Sequence, residues 1–218
     1  MKKVLILAGP SAGGKTTVAT ELIGANSQFE LVRSVTSRPP RGDGHDDEYI
    51  YLTNEEFSLG IEHGDVLEYT EYAGALYGTP KSEIDRIINE GRVPLLILDL
   101  KGVAALAKAA EISACSVYIY DDIRVIDQRL YDRYLGQNPS AEALIKYVKR
   151  KEQNNADYLA APDFSGDFYA FVRNSSPEEC AAEIGKIFSD FSAGNARDEG
   201  AISLAVDSMI DSVRRAYM

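Results

Sequence analysis

Two groups of residues in this 218-residue chain are spaced for chemistry on phosphate. The first is Gly9-Pro10-Ser11-Ala12-Gly13-Gly14-Lys15-Thr16, which fits G-x-x-x-x-G-K-[ST] and directly follows the apolar run Val4–Ala8. A buried strand, a glycine-rich turn and a helix in that order form a P-loop. Its backbone N–H groups turn inward around phosphate oxygens, its Lys reaches the β- and γ-phosphates, and its Thr hydroxyl holds Mg²⁺. The helix that starts at the loop adds its positive end to the same place. The second group is Ser34-Val35-Thr36-Ser37-Arg38-Pro39-Pro40-Arg41, followed by Tyr49. Two arginines three apart in a proline-stiffened segment can grip one phosphate from two directions, with the bidentate geometry that Lys lacks.

The elements that must position these groups read as an α/β fold. Strand-like runs at Val4–Ala8, Val93–Leu98, Val117–Tyr120 and Phe168–Val172 alternate with helical patterns, as in a mainly parallel sheet flanked by helices. The helices are expected at Lys15–Ile23, Pro80–Glu90, Gly102–Ala110, Ile123–Leu135, Ala141–Asn155 and Pro177–Phe191. Thr53-Asn54-Glu55-Glu56 and Ser176-Pro177-Glu178-Glu179 read as capping boxes, and Gly91 as a helix stop. Residues 31–79, rich in Tyr, Gly and charge, break the rhythm and read as a small, mostly antiparallel subdomain inserted after the first βα unit. After a linker at 192–195, Ile202, Ala205, Val206, Met209, Ile210 and Val213 form one helical stripe. That stripe is expected to pack back on its own domain, with a homodimer contact as the alternative. The chain thus divides into a domain over 1–193 and a helical extension over 194–218.

Composition narrows the partners. The net charge of −11 argues against general nucleic-acid binding. Residues 124–151 nevertheless carry seven basic side chains against three acidic ones, a local excess of +4 that suits a small polyanion. Cys115 and Cys180 are too few and too far apart for a disulfide framework or a zinc site. No apolar run is long enough to span a membrane and no signal-peptide pattern is present, so a cytoplasmic protein is expected.

The order GPSAGGKT, then S-V-T-S-R-P-P-R, a Tyr and an E-E-F helix resembles guanylate kinase. Val66-Leu67-Glu68-Tyr69, Leu76-Tyr77-Gly78-Thr79 and Leu98-Asp99-Leu100-Lys101-Gly102-Val103 extend the likeness over about residues 3–190. The resemblance implies a P-loop fold with an inserted GMP-binding subdomain (31–79) and a helical lid (124–151). It implies that Gly9, Ser11, Ala12, Gly13, Gly14, Lys15, Thr16 and Thr17 bind ATP, with Mg²⁺ at Thr16. Ser34, Arg38, Arg41, Tyr49 and Tyr77 would take the GMP phosphate. Glu68 would accept from guanine N1–H and the 2-amino group, which adenine cannot offer. Thr79 would contact the base oxygen, and Asp99 would lie near base and metal water. Arg129 and Arg133 match the R-x-x-x-R that opens the lid, and Asn174 lies where the family places an Asn near adenine. Catalysis would rest on Lys15, Arg38, Arg129 and Arg133.

The chain departs from the family pattern at Ala12, where a Gly is usual, at Ile97, where an Asp is usual, and at Asp121-Asp122, where Pro-Pro is usual. On the helix after the lid, Lys146 and Lys151 fall at the positions of family arginines, with Arg150 one residue off. The expected activity is transfer of a phosphoryl group from ATP to GMP. A kinase of another phosphorylated acceptor, such as a ribose bisphosphate, and a non-catalytic guanylate-kinase-like binding module are the alternatives. Glu68 and Thr79 speak against the first, and Lys15, Thr16, Arg129 and Arg133 against the second.

Overall fold

Val4–Ala8 are fully buried, and a strand with no wet face must lie within a sheet covered on both sides. The computed structural model, which describes residues 1–40, 49–72, 74–136 and 139–217, places it there. The central sheet has the order β2 (Phe29–Leu31), β7 (Val93–Ile97), β1 (Lys2–Ala8), β8 (Ile112–Tyr120), β9 (Ala170–Arg173). All of its pairings are parallel. Alternate residues of β1 feed two layers, as the two-residue strand period requires. Leu5 and Leu7 pack with Val18 and Leu22 of α1 (Lys15–Ala25) and with Ile184 and Phe188 of α8 (Pro177–Ala193). Val4, Ile6 and Ala8 join the opposite layer. It is built by α3 (Lys81–Asn89), α4 (Leu100–Leu106), α5 (Ile123–Leu135), Tyr158 of α6 (Ala141–Leu159) and α9 (Glu199–Ala216). A short helix α7 (Ala161–Phe164) and a 3-10 turn at Ser165–Asp167 return the chain to β9.

The inserted unit is a second sheet of β3 (Ser34–Thr36), β4 (Tyr49–Tyr51), β5 (Val66–Tyr72) and β6 (Ala75–Pro80), ordered β4-β3-β6-β5. It is antiparallel except for the β3–β4 pair. Phe57 of α2 (Asn54–Glu62) fills its small core against Val35 and Val66. Arg33, at the crossing from β2 to β3, donates two hydrogen bonds to Glu83 of α3 at 3.0 and 3.1 Å. Glu83 is buried, and its bonds from Arg33, with Arg86 beside it, hold its carboxyl down at about 2.

The expected class and layering hold, with shifted boundaries. Phe29–Leu31 is a central-sheet strand that the sequence reading left unassigned; it is short and only Phe29 is buried. The second sheet therefore begins at Ser34 rather than residue 31. β8 starts at Ile112, five residues before the expected Val117. β9 covers Ala170–Arg173, and Phe168 precedes it. α4 starts at Leu100, two residues ahead of the expected Gly102, because Asp99 caps it by accepting from Gly102 N at 2.8 Å. The Thr53 box is complete, whereas Ser176 caps α8 alone and donates to Glu178 instead of receiving help from Glu179. The tail helix packs on its own domain: Ile202, Ala205, Val206, Met209 and Val213 are buried, the first and last three within the central layer. The stripe that offered a homodimer contact is thus consumed intramolecularly. Among the described residues, no helix is long and apolar enough to cross a membrane.

Candidate active site

β7 and β8 flank β1, so their carboxyl ends open beside the loop that leaves β1, where sheets of this class collect ligands. The loop is shaped by contacts only certain residues allow. Gly9 has φ 149°, and a Cβ there would lie 2.2 Å from the Ile119 carbonyl oxygen. Ala12 holds φ 63°, in the left-handed region, without glycine's freedom. A cavity of about 590 Å³ opens over the loop, lined by Ser11–Thr17 together with Arg129, Arg133, Tyr134, Arg150, Asn174 and Pro177.

Lys15 is folded into this cavity, donating to the Gly9 and Pro10 carbonyls at 2.8 and 2.9 Å. Burial, then the nearby Arg150 and Arg133, lower its ammonium to about 8, and Asp157 and Asp99 partly offset them. The ammonium is therefore short of counter-charge in the ligand-free protein. Asn174 follows β9 and is buried; its Nδ2 donates to the Gly13 carbonyl at 2.9 Å. Its Oδ1 and the Nη1 of Arg129 are buried and have no hydrogen-bond partner among the described residues. Both side chains belong to the lining of the same cavity.

Arg129, the first arginine of the R-x-x-x-R on α5, rests on an acid. Arg129 donates to Asp121 Oδ2 at 3.2 Å and to the Asn174 carbonyl at 3.4 Å. Asp121 is buried and also takes Arg173 Nε at 3.1 Å, while Asp122 caps α5. The Asp-Asp pair thus anchors α5. Ile97 packs in the apolar layer with Leu5 and Leu7. It is the Arg150 side chain that lines the cavity. Lys146 is exposed and Lys151 bonds Asp127 of α5 at 2.7 Å, so neither lysine is among the residues that line the cavity.

Across the cleft, Glu68 of β5 is buried and accepts from Thr79 Oγ1 of β6 at 2.6 Å. Burial raises its carboxyl, the Thr79 bond opposes this, and Asp99 adds to the rise. Gly102 lets α4 approach: a Cβ there would lie 3.2 Å from Glu68 Oε2. Arg38 sits 5.6 and 5.7 Å from the rings of Tyr49 and Tyr51, with Tyr51 OH accepting from its Nη2 at 3.3 Å. Tyr77 packs edge-on to Tyr49 at 5.9 Å, and Ser34 lies opposite Tyr49 in the sheet. Thr36 is buried and accepts from the Arg38 amide at 3.1 Å. Arg41 lies outside the described residues. Asp99 joins the two halves, since its charge acts on Glu68, Asp157 and Lys15 alike.

Sequence reasoning missed Asn154, Asp157 and Tyr51. Asn154 is buried and clamps the loop, its Oδ1 accepting from Ser11 N at 2.8 Å and its Nδ2 donating to Ser11 O at 3.0 Å. Arg150, Asn154 and Asp157 share one helix face at i, i+4 and i+7, a pattern that was present in the sequence once the register was known.

The family model described as guanylate kinase matches residues 1–190. A guanylate kinase of Prochlorococcus marinus is 33% identical over 187 residues, 85% of this chain and 96% of that protein. One from a Synechococcus species is 33% identical over 132 residues, covering 60% of this chain and 72% of the relative. In fold, the chain is similar to the crystal structure of guanylate kinase from Anaplasma phagocytophilum, with a TM-score of 0.57 at 21% identity over 92% of both chains. A sequence likeness that runs from the strand before the loop into α8 shows that this chain belongs to the guanylate kinase family.

Proposed function

We infer that the chain transfers the γ-phosphoryl group of ATP to GMP, giving ADP and GDP. The observation that carries this reading is the buried Glu68–Thr79 pair facing the junction at Asp99, with the loop cavity on the other side of it. A buried carboxylate with an oxygen to spare is matched by guanine's N1–H and 2-amino donors. Adenine would leave it unpaired at a cost of about 1–3 kcal/mol.

We propose roles for the individual residues. Arg38, held over the rings of Tyr49 and Tyr51, and Arg41 take the acceptor phosphate, with Ser34, Tyr49 and Tyr77 around it. Lys15 and the loop amides hold the donor phosphates. Arg129, Arg133 and Arg150 close over the transferring group. Asn174, through its open Oδ1, meets the donor base. Phosphoryl transfer asks for in-line positioning and charge neutralisation, and the acceptor phosphate oxygen is already ionised, so no general base is required. Closing the lid and the second sheet excludes water and limits ATP hydrolysis.

Mg²⁺ fits this donor set. Among the described residues there is no cluster of three or more acids, His or Cys. Mg²⁺ in kinase sites is held chiefly by substrate phosphates and water, with one or two protein oxygens. Thr16 would supply a hydroxyl to the ion, and Asp99 and Asp157, whose charges both act on Lys15, would hold metal-bound water. The ion would neutralise charge on the β- and γ-phosphates. The buried free thiols Cys115 and Cys180 suit the reducing cytoplasm. A coupled ADP-release assay across GMP, AMP, CMP, UMP and ribose bisphosphate tests the reading. Turnover with GMP far above the rest is expected, and turnover with ribose bisphosphate alone would overturn it.

A further inference from the structure

The family model stops at residue 190, and α9 lies beyond it. Besides filling the core, its last turns reach the bases of both lid helices. Ser212 Oγ accepts from Ile123 N, the first residue of α5, at 3.3 Å, and Arg215 stands 3.7 Å from the α5 cap Asp122. Tyr217 accepts a hydrogen bond from Asn155 Nδ2 of α6 through its hydroxyl, and the Lys151 ammonium lies 6.0 Å from its ring. Lys151 in turn ties α6 to Asp127 of α5 at 2.7 Å.

α6 is a long helix with few fixed points. Of its 19 residues only Asn154 and Tyr158 are buried, both near its carboxyl end. Arg150 and Asn154 point to the loop cavity, while Lys151 and Asn155, one residue on, point about 100° around the helix toward α5 and α9. Whatever fixes the second face fixes the first. At a side-chain radius of ~6 Å, a roll of ~10° displaces Arg150 by about 1 Å, and errors of that size at a reacting centre cost up to about 100-fold in rate.

We propose that Tyr217 is a positioning residue: through Asn155 and Lys151 it sets the rotation of α6, which presents Arg150 to the transferring phosphoryl group and keeps Asn154 on the Ser11 backbone. This rests on the kinase reading above. The test compares wild type with Tyr217→Phe, Asn155→Ala and the double variant. It reads single-turnover transfer from saturating ATP to GMP, the KM for GMP, the thermal midpoint, and hydrogen exchange at the Ser11 amide. Each single variant is expected to slow transfer about fivefold and to speed Ser11 exchange by a similar factor. The double variant should be no slower than the worse single, because both remove one linkage. The KM for GMP and the thermal midpoint should stay near wild type, which a loss of general stability would not produce. Single variants at wild-type rate and exchange, or losses that multiply in the double, would overturn the proposal. A wild type silent on GMP but with the exchange change intact would instead sink the kinase reading alone.

Discussion

Binding of ATP should draw a proton onto Lys15. In the ligand-free protein, burial and two nearby arginines hold its ammonium at about 8, against 10.5 when free. At about 1.4 kcal/mol per pKa unit, keeping the charge costs roughly 3 kcal/mol near neutrality. The phosphates supply the missing counter-charge, so the ammonium in the complex keeps its proton to higher pH. At pH 8.5 the free protein then carries about a quarter of a proton on Lys15 and the complex nearly a whole one, an uptake of ~0.7 proton. ATP itself contributes little there, because phosphate's second ionisation lies near pH 6. Calorimetry in two buffers of different ionisation enthalpy measures the uptake directly, and ATP affinity should fall toward tenfold per pH unit above pH 9. The same depression has a stability consequence with a definite sign. The folded protein releases this proton before the unfolded chain does, so Lys15's penalty fades as pH rises from about 8 to 10.5. Lys15→Met should abolish the uptake. A wild-type value near zero at pH 8.5, or one unchanged in Lys15→Met, would refute the reasoning.

Other predictions follow from single contacts. Glu68→Gln replaces one acceptor oxygen with a donor facing guanine's donors; the KM for GMP should rise about 10- to 100-fold and discrimination against AMP should shrink. Ala12→Gly relieves a left-handed φ of 63°. After the added unfolded-state entropy of glycine, a gain of about 0.5 kcal/mol should lift the thermal midpoint by about 1–2 °C in a scanning experiment. Glu83 is ionised more easily when folded than when unfolded. Its contribution is full above pH 4.5 and is lost as pH falls through about 2, so Glu83→Gln should lower neutral stability and flatten that part of the acid-unfolding curve.

The sequence carried most of the cavity lining at the loop, because a P-loop is local: strand, turn and helix are contiguous, and Lys15 and Thr16 need no distant partner to be recognised. Arg38, Glu68 and Tyr77 were legible only through their order along the chain, since nothing local marks Glu68 as buried. The open register of the basic residues on α6 has a plain cause. Arg150 and Lys151 are adjacent and both basic, and only the packing of α6 on Asp127 and on the loop tells which faces the cavity. Asn154 escaped because a lone Asn in a polar helix has no signature; its function lies in a backbone 143 residues away. β2 escaped because a three-residue strand gives no alternation to read.

The acceptor sheet is held between two neighbouring crossings of the chain, one at residues 32–33 and the other at the junction of β6 with α3. On the proposed reading, donor and acceptor are thus met by two different sheets, with Asp99 between them. Mutations in the second sheet can retune which monophosphate is accepted while leaving triphosphate handling intact. The architecture works as a socket: a changed or transplanted 34–80 segment would yield a kinase with a new acceptor and an old engine.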